Sequence, residues 1–270
     1  MLNLRKFFAG GLGRDAPARI PRGERVYAIG DVHGRFDLLC ALARKIDEDD
    51  ATAKETNSTV VFLGDLIDRG PESSSIIDFV MHWSQQRAVR ILKGNHEEMF
   101  LDSYADLSVL NNFLRYGGRE TLWSYGIATE QEPEFSLPAV QQAMHEHIPL
   151  EHREFIAAFE NRIAIGGYLF VHAGIQPGIS VDEQDERVFR WIREPFLSHE
   201  APHSHMVVHG HTITSEAEER PNRIGIDTGA YCYGRLTAIV LEEASRRFLQ
   251  AQDRNGVITV KHAVNAPELR

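Results

Sequence analysis

Three short clusters of acidic, imidazole and amide side chains, each flanked by glycine, recur in the first hundred residues. They are Gly30-Asp31-Val32-His33-Gly34, Gly64-Asp65-Leu66-Ile67-Asp68-Arg69-Gly70 and Lys93-Gly94-Asn95-His96-Glu97. Two more follow downstream, His172-Ala173-Gly174 and His209-Gly210-His211-Thr212. Asp31, His33, Asp65, Asn95, His172 and His211 together offer a mixed set of oxygen and nitrogen donors. Such a set suits borderline divalent ions better than calcium, which prefers oxygen alone. Six ligands are too many for one catalytic ion with open positions, but they suit two ions sharing a carboxylate. Two-metal hydrolases hold their ions roughly 3.5–4 Å apart and can bring a bridging water to hydroxide near neutral pH. We expect two divalent metal ions bridged by Asp65, with manganese first and iron or zinc as alternatives.

The elements that carry these residues follow from the apolar pattern. Glu24-Arg25-Val26-Tyr27-Ala28-Ile29, Thr59-Val60-Val61-Phe62-Leu63 and Ala88-Val89-Arg90-Ile91-Leu92 each read as a strand running straight into one of the clusters. Phe36, Leu38, Leu39, Leu42, Ala43 and Ile46 recur at helical spacing after the first cluster, and Pro71 opens a second helix after the second. This β-loop-α rhythm puts three clusters along one edge of one sheet, where α/β proteins place chemistry. Residues of about 100–160 read as a helical insertion. Within it, His145, His147 and His152 follow no zinc spacing and are expected on an exposed polar face. Its aromatic segments around Phe113-Tyr116, Trp123-Tyr125 and Phe155-Phe159 are expected to pack, with one wall of the cleft as their further use. Strand patterning returns at Arg162-Ile163-Ala164-Ile165, turns at Gly166-Gly167 into Tyr168-Leu169-Phe170-Val171, and continues through Met206-Val207-Val208 and Arg223-Ile224-Gly225-Ile226 to closing antiparallel strands.

With 270 residues and 43% hydrophobic content the chain can bury one large core. We expect a flexible leader over 1–24, a single domain over 25–262 and a loose tail over 263–270. A net charge of −10 and a pI near 5.7 supply no basic field for nucleic acid. Bound cations can still invert the local field for a phosphate substrate. Cys40 and Cys232 are too few for a disulfide framework, and no apolar run in the leader is long enough to span a membrane, so a cytoplasmic setting is expected. The acidic run Asp47-Glu48-Asp49-Asp50 reads as a solvated helix end.

The order and spacing of Gly-Asp-Val-His-Gly at 30–34, Gly-Asp-Leu-Ile-Asp-Arg-Gly at 64–70, Gly-Asn-His-Glu at 94–97, His-Ala-Gly at 172–174 and Gly-His-Thr at 210–212 resemble the PPP family of metallophosphatases. The likeness is to its bacterial and phage serine/threonine phosphatases, within the calcineurin-like phosphoesterase superfamily. It implies an α/β fold with a central β-sandwich of mixed sheets flanked by helices. It further implies that Asp31, His33 and Asp65 hold one ion and that Asp65, Asn95, His172 and His211 hold the other, with a bridging hydroxide as nucleophile. In the same way His96 is expected to protonate the leaving group, Asp68 to orient His96, and Arg69, Asn95 and a second arginine to bind phosphate. Trp-Ile-Arg-Glu points to Arg193 for that arginine, with Arg190 as the alternative. His209 is expected behind the ligands or as a structural residue, His203 and His205 on an exposed loop, and Asp227 and Tyr233 near the substrate pocket.

The resulting expectation is a phosphoprotein phosphatase acting on phosphoserine, phosphothreonine or phosphotyrosine. Relatives that cleave diadenosine tetraphosphate can carry alanine in place of the Asp-Arg-Gly aspartate, whereas Asp68 is present here. A dinucleoside polyphosphate hydrolase is the alternative, and a catalytically silent scaffold of the same fold is a third reading. The expected partner is a phosphorylated protein or peptide, with no nucleic acid and no stable membrane insertion.

Overall fold

A computed structural model describes residues 17–52, 56–127 and 136–263. Most of the expected leader and tail lie outside these residues. Of the leader, 17–24 are described: Ile20 is buried with its N–H donated to the Glu243 carbonyl at 2.9 Å, and Glu24 opens the first strand.

The chain begins as β1 (Glu24–Ile29), α1 (Phe36–Ala51), β2 (Asn57–Phe62), α2 (Ser73–Ser84) and β3 (Ala88–Ile91). Parallel neighbours need a crossover, and α1 and α2 supply it. There follows a helical cap of α3 (Asn95–Asp102), α4 (Leu107–Phe113), α5 (Arg119–Ser124), α6 (Leu137–His147) and α7 (Leu150–Ala157). The remainder comprises β4 (Ile163–Ile165), β5 (Tyr168–Phe170), α8 (Glu186–Trp191), β6 (Met206–His209), β7 (Glu218–Glu219), β8 (Arg223–Gly225), α9 (Ala230–Tyr233), β9 (Arg235–Glu242), β10 (Ser245–Arg254) and β11 (Val257–Ala263).

Two sheets result, ordered β11-β10-β9-β1-β2-β3 and β4-β5-β6-β8-β7. Side chains alternate across a strand, and both faces of β1 are covered. Val26 and Ala28 pack with Val61, Leu63, Phe170, Val208 and Ile224 between the sheets, whereas Tyr27 and Ile29 pack under the helices. On the outer face of the second sheet, Phe189 and Phe196 cover Leu169 and Val207. This is an α/β sandwich of mixed sheets with helices on both sides.

Two surface expectations are revised: the acidic run does end α1, with Asp47 and Glu48 exposed, but Asp49 and Asp50 are half-buried, and one cap histidine is buried. The acidic run ending α1 is tied down by arginines: Arg87 bonds Asp47 and Asp50, while Arg25, Arg247 and the Tyr27 hydroxyl meet on Asp49. His152 is buried, 4% exposed, between Tyr125 Oη at 2.9 Å and Asp78 at 3.0 Å, and so ties α7 to α2 and α5. No helix among the described residues is long and apolar enough to cross a membrane.

Candidate metal centre

Six loops leave the carboxyl-terminal ends of parallel strands, β1 to β3 in one sheet and β5, β6 and β8 in the other, and meet where the sheets adjoin. Backbone hydrogen bonds fasten the first two: Val32 and His33 N–H both donate to the Asp65 carbonyl, at 3.1 and 2.9 Å. The Glu97 carboxylate fastens the second to the third by accepting from Asp65, Leu66 and Gly94 N–H at 2.9, 2.7 and 2.9 Å. Across the sandwich, His211 N–H donates to the Asp31 carboxylate at 3.1 Å. These fastenings hold His33, Asp65, Asp68, Arg69 and His211 at positive φ, a region costly for side chains other than glycine and concentrated here at one site. Close approach explains two glycines. A Cβ at Gly94 would lie 2.0 Å from an Asp65 carboxylate oxygen, and one at Gly210 the same distance from Asp31.

The imidazoles are oriented from behind. His33 Nδ1–H donates to the Ile67 carbonyl at 2.9 Å and His172 Nδ1–H to the Leu63 carbonyl at 2.8 Å, which turns each Nε2 into the site. Asp65 Oδ2 lies 3.4 Å from His172 Nε2, 3.5 Å from His33 Nε2 and 3.9 Å from His96 Nε2. Asn95 Oδ1 is 3.1 Å from His172 Nε2. Donor atoms therefore gather in two groups, His33-Asp65-His96 and Asp65-His172-His211, that share Asp65 and each lie within 4.8 Å. Asp31 stands beside them, held by the His211 amide. His96, read from the sequence as the acid, contributes to the first group as well.

The electrostatics fit divalent cations. Asp31, Asp65 and Asp227 are each at most 2% exposed. Burial, with Asp227 beside it, raises the Asp31 carboxyl well above its usual range, and burial pushes Asp227 up to about 6. Burial alone would lower His172, but the Asp65 charge outweighs it and lifts the imidazole to about 10. The negative charge that holds a proton there is equally suited to holding a cation. Burial lowers His33 and His211, keeping both neutral as ligation requires, and His211 Nε2 is buried without a hydrogen-bond partner among the described residues.

His96 Nδ1–H donates to Asp68 Oδ2 at 2.6 Å, and Asp68 Oδ1 accepts from the Thr121 hydroxyl at 2.5 Å. The Arg69 guanidinium lies 4.7 Å from the centre of the Tyr231 ring and 3.1 Å from His33 Nε2. Of the two downstream arginines, Arg193 reaches the His211 carbonyl at 3.5 Å, whereas Arg190 is occupied by Glu98 at 2.5 Å and Asn161 at 2.6 Å. His209 is buried against Phe196, and His203 and His205 are half-buried rather than fully exposed. Three residues at the site had been given no role: Glu97, Thr121 and Tyr231. Glu97 carries a capping-box signal three residues after Gly94, but its hold on the Asp65 loop has no local signature.

Buried carboxylates and imidazoles gathered at the strand ends of this sandwich define a metallophosphoesterase. Residues 24–234 match the calcineurin-like phosphoesterase family, and the chain belongs to it. It is 26% identical over 235 residues to the asymmetrical bis(5'-nucleosyl)-tetraphosphatase PrpE of Anoxybacillus flavithermus, covering 78% of this chain and 88% of that one. It is 31% identical over 180 residues to the symmetrical bis(5'-nucleosyl)-tetraphosphatase of Cellvibrio japonicus, covering 64% and 56%. In fold it is similar to a cold-active protein-tyrosine phosphatase of a psychrophilic Shewanella, with a TM-score of 0.53, 18% identity and 90% and 83% coverage. The family works with divalent metal ions, and the donor set above suits them.

Proposed function

We propose that the chain is a metal-dependent hydrolase of dinucleoside polyphosphates such as diadenosine tetraphosphate. The observation that carries this choice over protein dephosphorylation is a relative aligned over most of both chains and named a bis(5'-nucleosyl)-tetraphosphatase. In this reading Asp31, His33 and Asp65 hold one divalent ion and Asp65, Asn95, His172 and His211 the other. Ions bound there supply Lewis acidity to the phosphoryl group and charge neutralisation in a buried site. The chain's own groups do the rest. Arg69 and Arg193 grip phosphate oxygens with planar guanidinium forks, and Asn95 adds an amide donor. His96 Nε2 points toward Asp65 and delivers a proton to the departing oxygen, while Asp68 on Nδ1 keeps the ring oriented and charged.

The Asp68–His96 pair also favours a second reading, phosphomonoester hydrolysis on phosphoproteins, close to bacterial PPP-type members. A departing alkoxide needs a proton far more than a departing nucleotide does. The discriminating assay sets diadenosine tetraphosphate beside a panel of phosphoserine, phosphothreonine and phosphotyrosine peptides, with and without manganese. We expect nucleotide cleavage to dominate by kcat/KM. Peptide dephosphorylation far exceeding it refutes the proposal in favour of the phosphoprotein reading, and inactivity on every substrate points to a silent scaffold.

A further inference from the structure

One exposed tyrosine stands against Arg69. Tyr231 lies under its guanidinium, and Tyr233, 59% exposed, follows two residues on. From the cap, Gly117 accepts the Arg69 N–H at 2.9 Å, and its φ of +114° brings the backbone so close that a Cβ there would lie 2.6 Å from Arg69 Cγ. The cap backbone thus rests on the stem of the arginine that grips phosphate. Tyr116 precedes Gly117, its Cα about 3.8 Å away along the chain. It is 60% exposed, and among the described residues its side chain makes no hydrogen bond, ring contact or cation contact. Trp123 is also exposed on the cap, but it stands about 200° around α5 from Thr121, the residue that faces Asp68. Tyr116 is therefore the cap aromatic next to the phosphate clamp with its faces uncommitted.

We propose that Tyr116 is a stacking platform for a nucleobase of the substrate and sets the preference for nucleotides over base-free phosphates; this rests on the dinucleoside polyphosphate reading above. With the phosphate chain held at Arg69, a nucleoside extending toward the cap meets the Tyr116 ring. Every base has a π-face to offer, so stacking there accepts adenine without hydrogen-bond readout. Tyr116 touches no reacting atom and acts on specificity alone.

The test measures inhibition of p-nitrophenyl phosphate hydrolysis by ATP and by inorganic tripolyphosphate, in excess manganese, for wild type, Tyr116→Leu and Tyr116→Phe. Both inhibitors present a phosphate chain, and only ATP carries a base. We expect the ratio of inhibition constants, ATP over tripolyphosphate, to rise about tenfold in Tyr116→Leu and to return to the wild-type value in Tyr116→Phe. A ratio that stays put in Tyr116→Leu overturns the inference. A rise that Tyr116→Phe fails to reverse also overturns it, because the hydroxyl rather than the ring would then be the recognised group. Hydrolysis of diadenosine tetraphosphate by the wild type is read in parallel. Its absence refutes the functional reading and the inference together, whereas its presence with a flat ratio refutes the inference alone.

Discussion

Replacing Asp68 by asparagine separates the leaving-group chemistry from the rest of the site. Asp68 is buried, its Oδ2 2.6 Å from His96 Nδ1 and its Oδ1 bonded to the Thr121 hydroxyl. The Ser73 and Thr121 hydroxyls are 2.9 Å apart and either can donate, so Thr121 can turn its proton toward Ser73 and accept from the introduced amide nitrogen. The amide oxygen then still accepts from His96, and the geometry survives while the charge is lost. A hydrogen bond to a charged group contributes about 1.5–3 kcal/mol, which at 1.36 kcal/mol per decade is roughly a tenfold to 150-fold effect on a step that needs the imidazolium. Turnover of phosphoserine peptide should fall by that factor. Turnover of p-nitrophenyl phosphate and diadenosine tetraphosphate should fall by about threefold or less, because a good leaving group needs little protonation. Burial alone would lower the His96 pKa, but the Asp65 charge and the Asp68 hydrogen bond raise it above its ordinary value. Asp68→Asn removes one raising influence, so the alkaline limb of peptide turnover, where His96 loses its proton, should move to lower pH. Steady-state kinetics across pH on the three substrates decide the matter. Equal losses on all three, or an unmoved alkaline limb, would refute His96 as the proton donor.

Chelation should abolish activity and lower the melting temperature, because the buried carboxylates of Asp31, Asp65 and Asp227 would lose the cations and keep only bound protons and the His172 imidazolium to offset their charge. Returning manganese at a hundred times its Kd should restore about 2.7 kcal/mol, and a melting curve indifferent to chelator would count against resident ions. Arg193→Met should raise KM for phosphate substrates with little effect on melting, whereas Arg190→Met, which leaves Glu98 only the Trp191 indole and takes the Arg190 donor from Asn161, should lower melting first; the opposite pattern would reassign the second phosphate-binding arginine. Burial would raise the Asp49 carboxyl, but hydrogen bonds from Arg247 and Tyr27 hold it below its usual value. A depressed carboxylate stabilises the fold above its unfolded pKa and loses that effect as pH falls through its folded one. Urea unfolding should therefore show Asp49→Asn less stable than wild type at pH 7, with the gap closing below about pH 4; a gap that persists into acid would sink this account.

What was legible in the sequence is what is local. An apolar strand ending in a glycine-bracketed polar cluster announces both the strand end and the chemistry it delivers, so Asp31, Asp65, Asn95 and the flanking histidines could be found by inspection. Which loops meet was legible only in part. Periodicity showed that His172 and His211 follow strands, but not that those strands build a second sheet against the first. Fastenings between distant segments left no local trace: Glu97 on the Asp65 loop, Thr121 on Asp68, His152 on Asp78, and Arg25 and Arg247 on Asp49. The choice of substrate was hidden for a different reason. In the proposed reading each motif recognises the phosphoryl group or its leaving oxygen, and esters and anhydrides have both. The Asp68–His96 pair makes a poor leaving group tolerable without making a good one unwelcome, so the presence of Asp68 permits monoester hydrolysis and excludes nothing. Discrimination must come from residues that meet the rest of the substrate, and these lie outside the motifs, on segments such as the cap around Gly117 that only the folded chain brings beside Arg69.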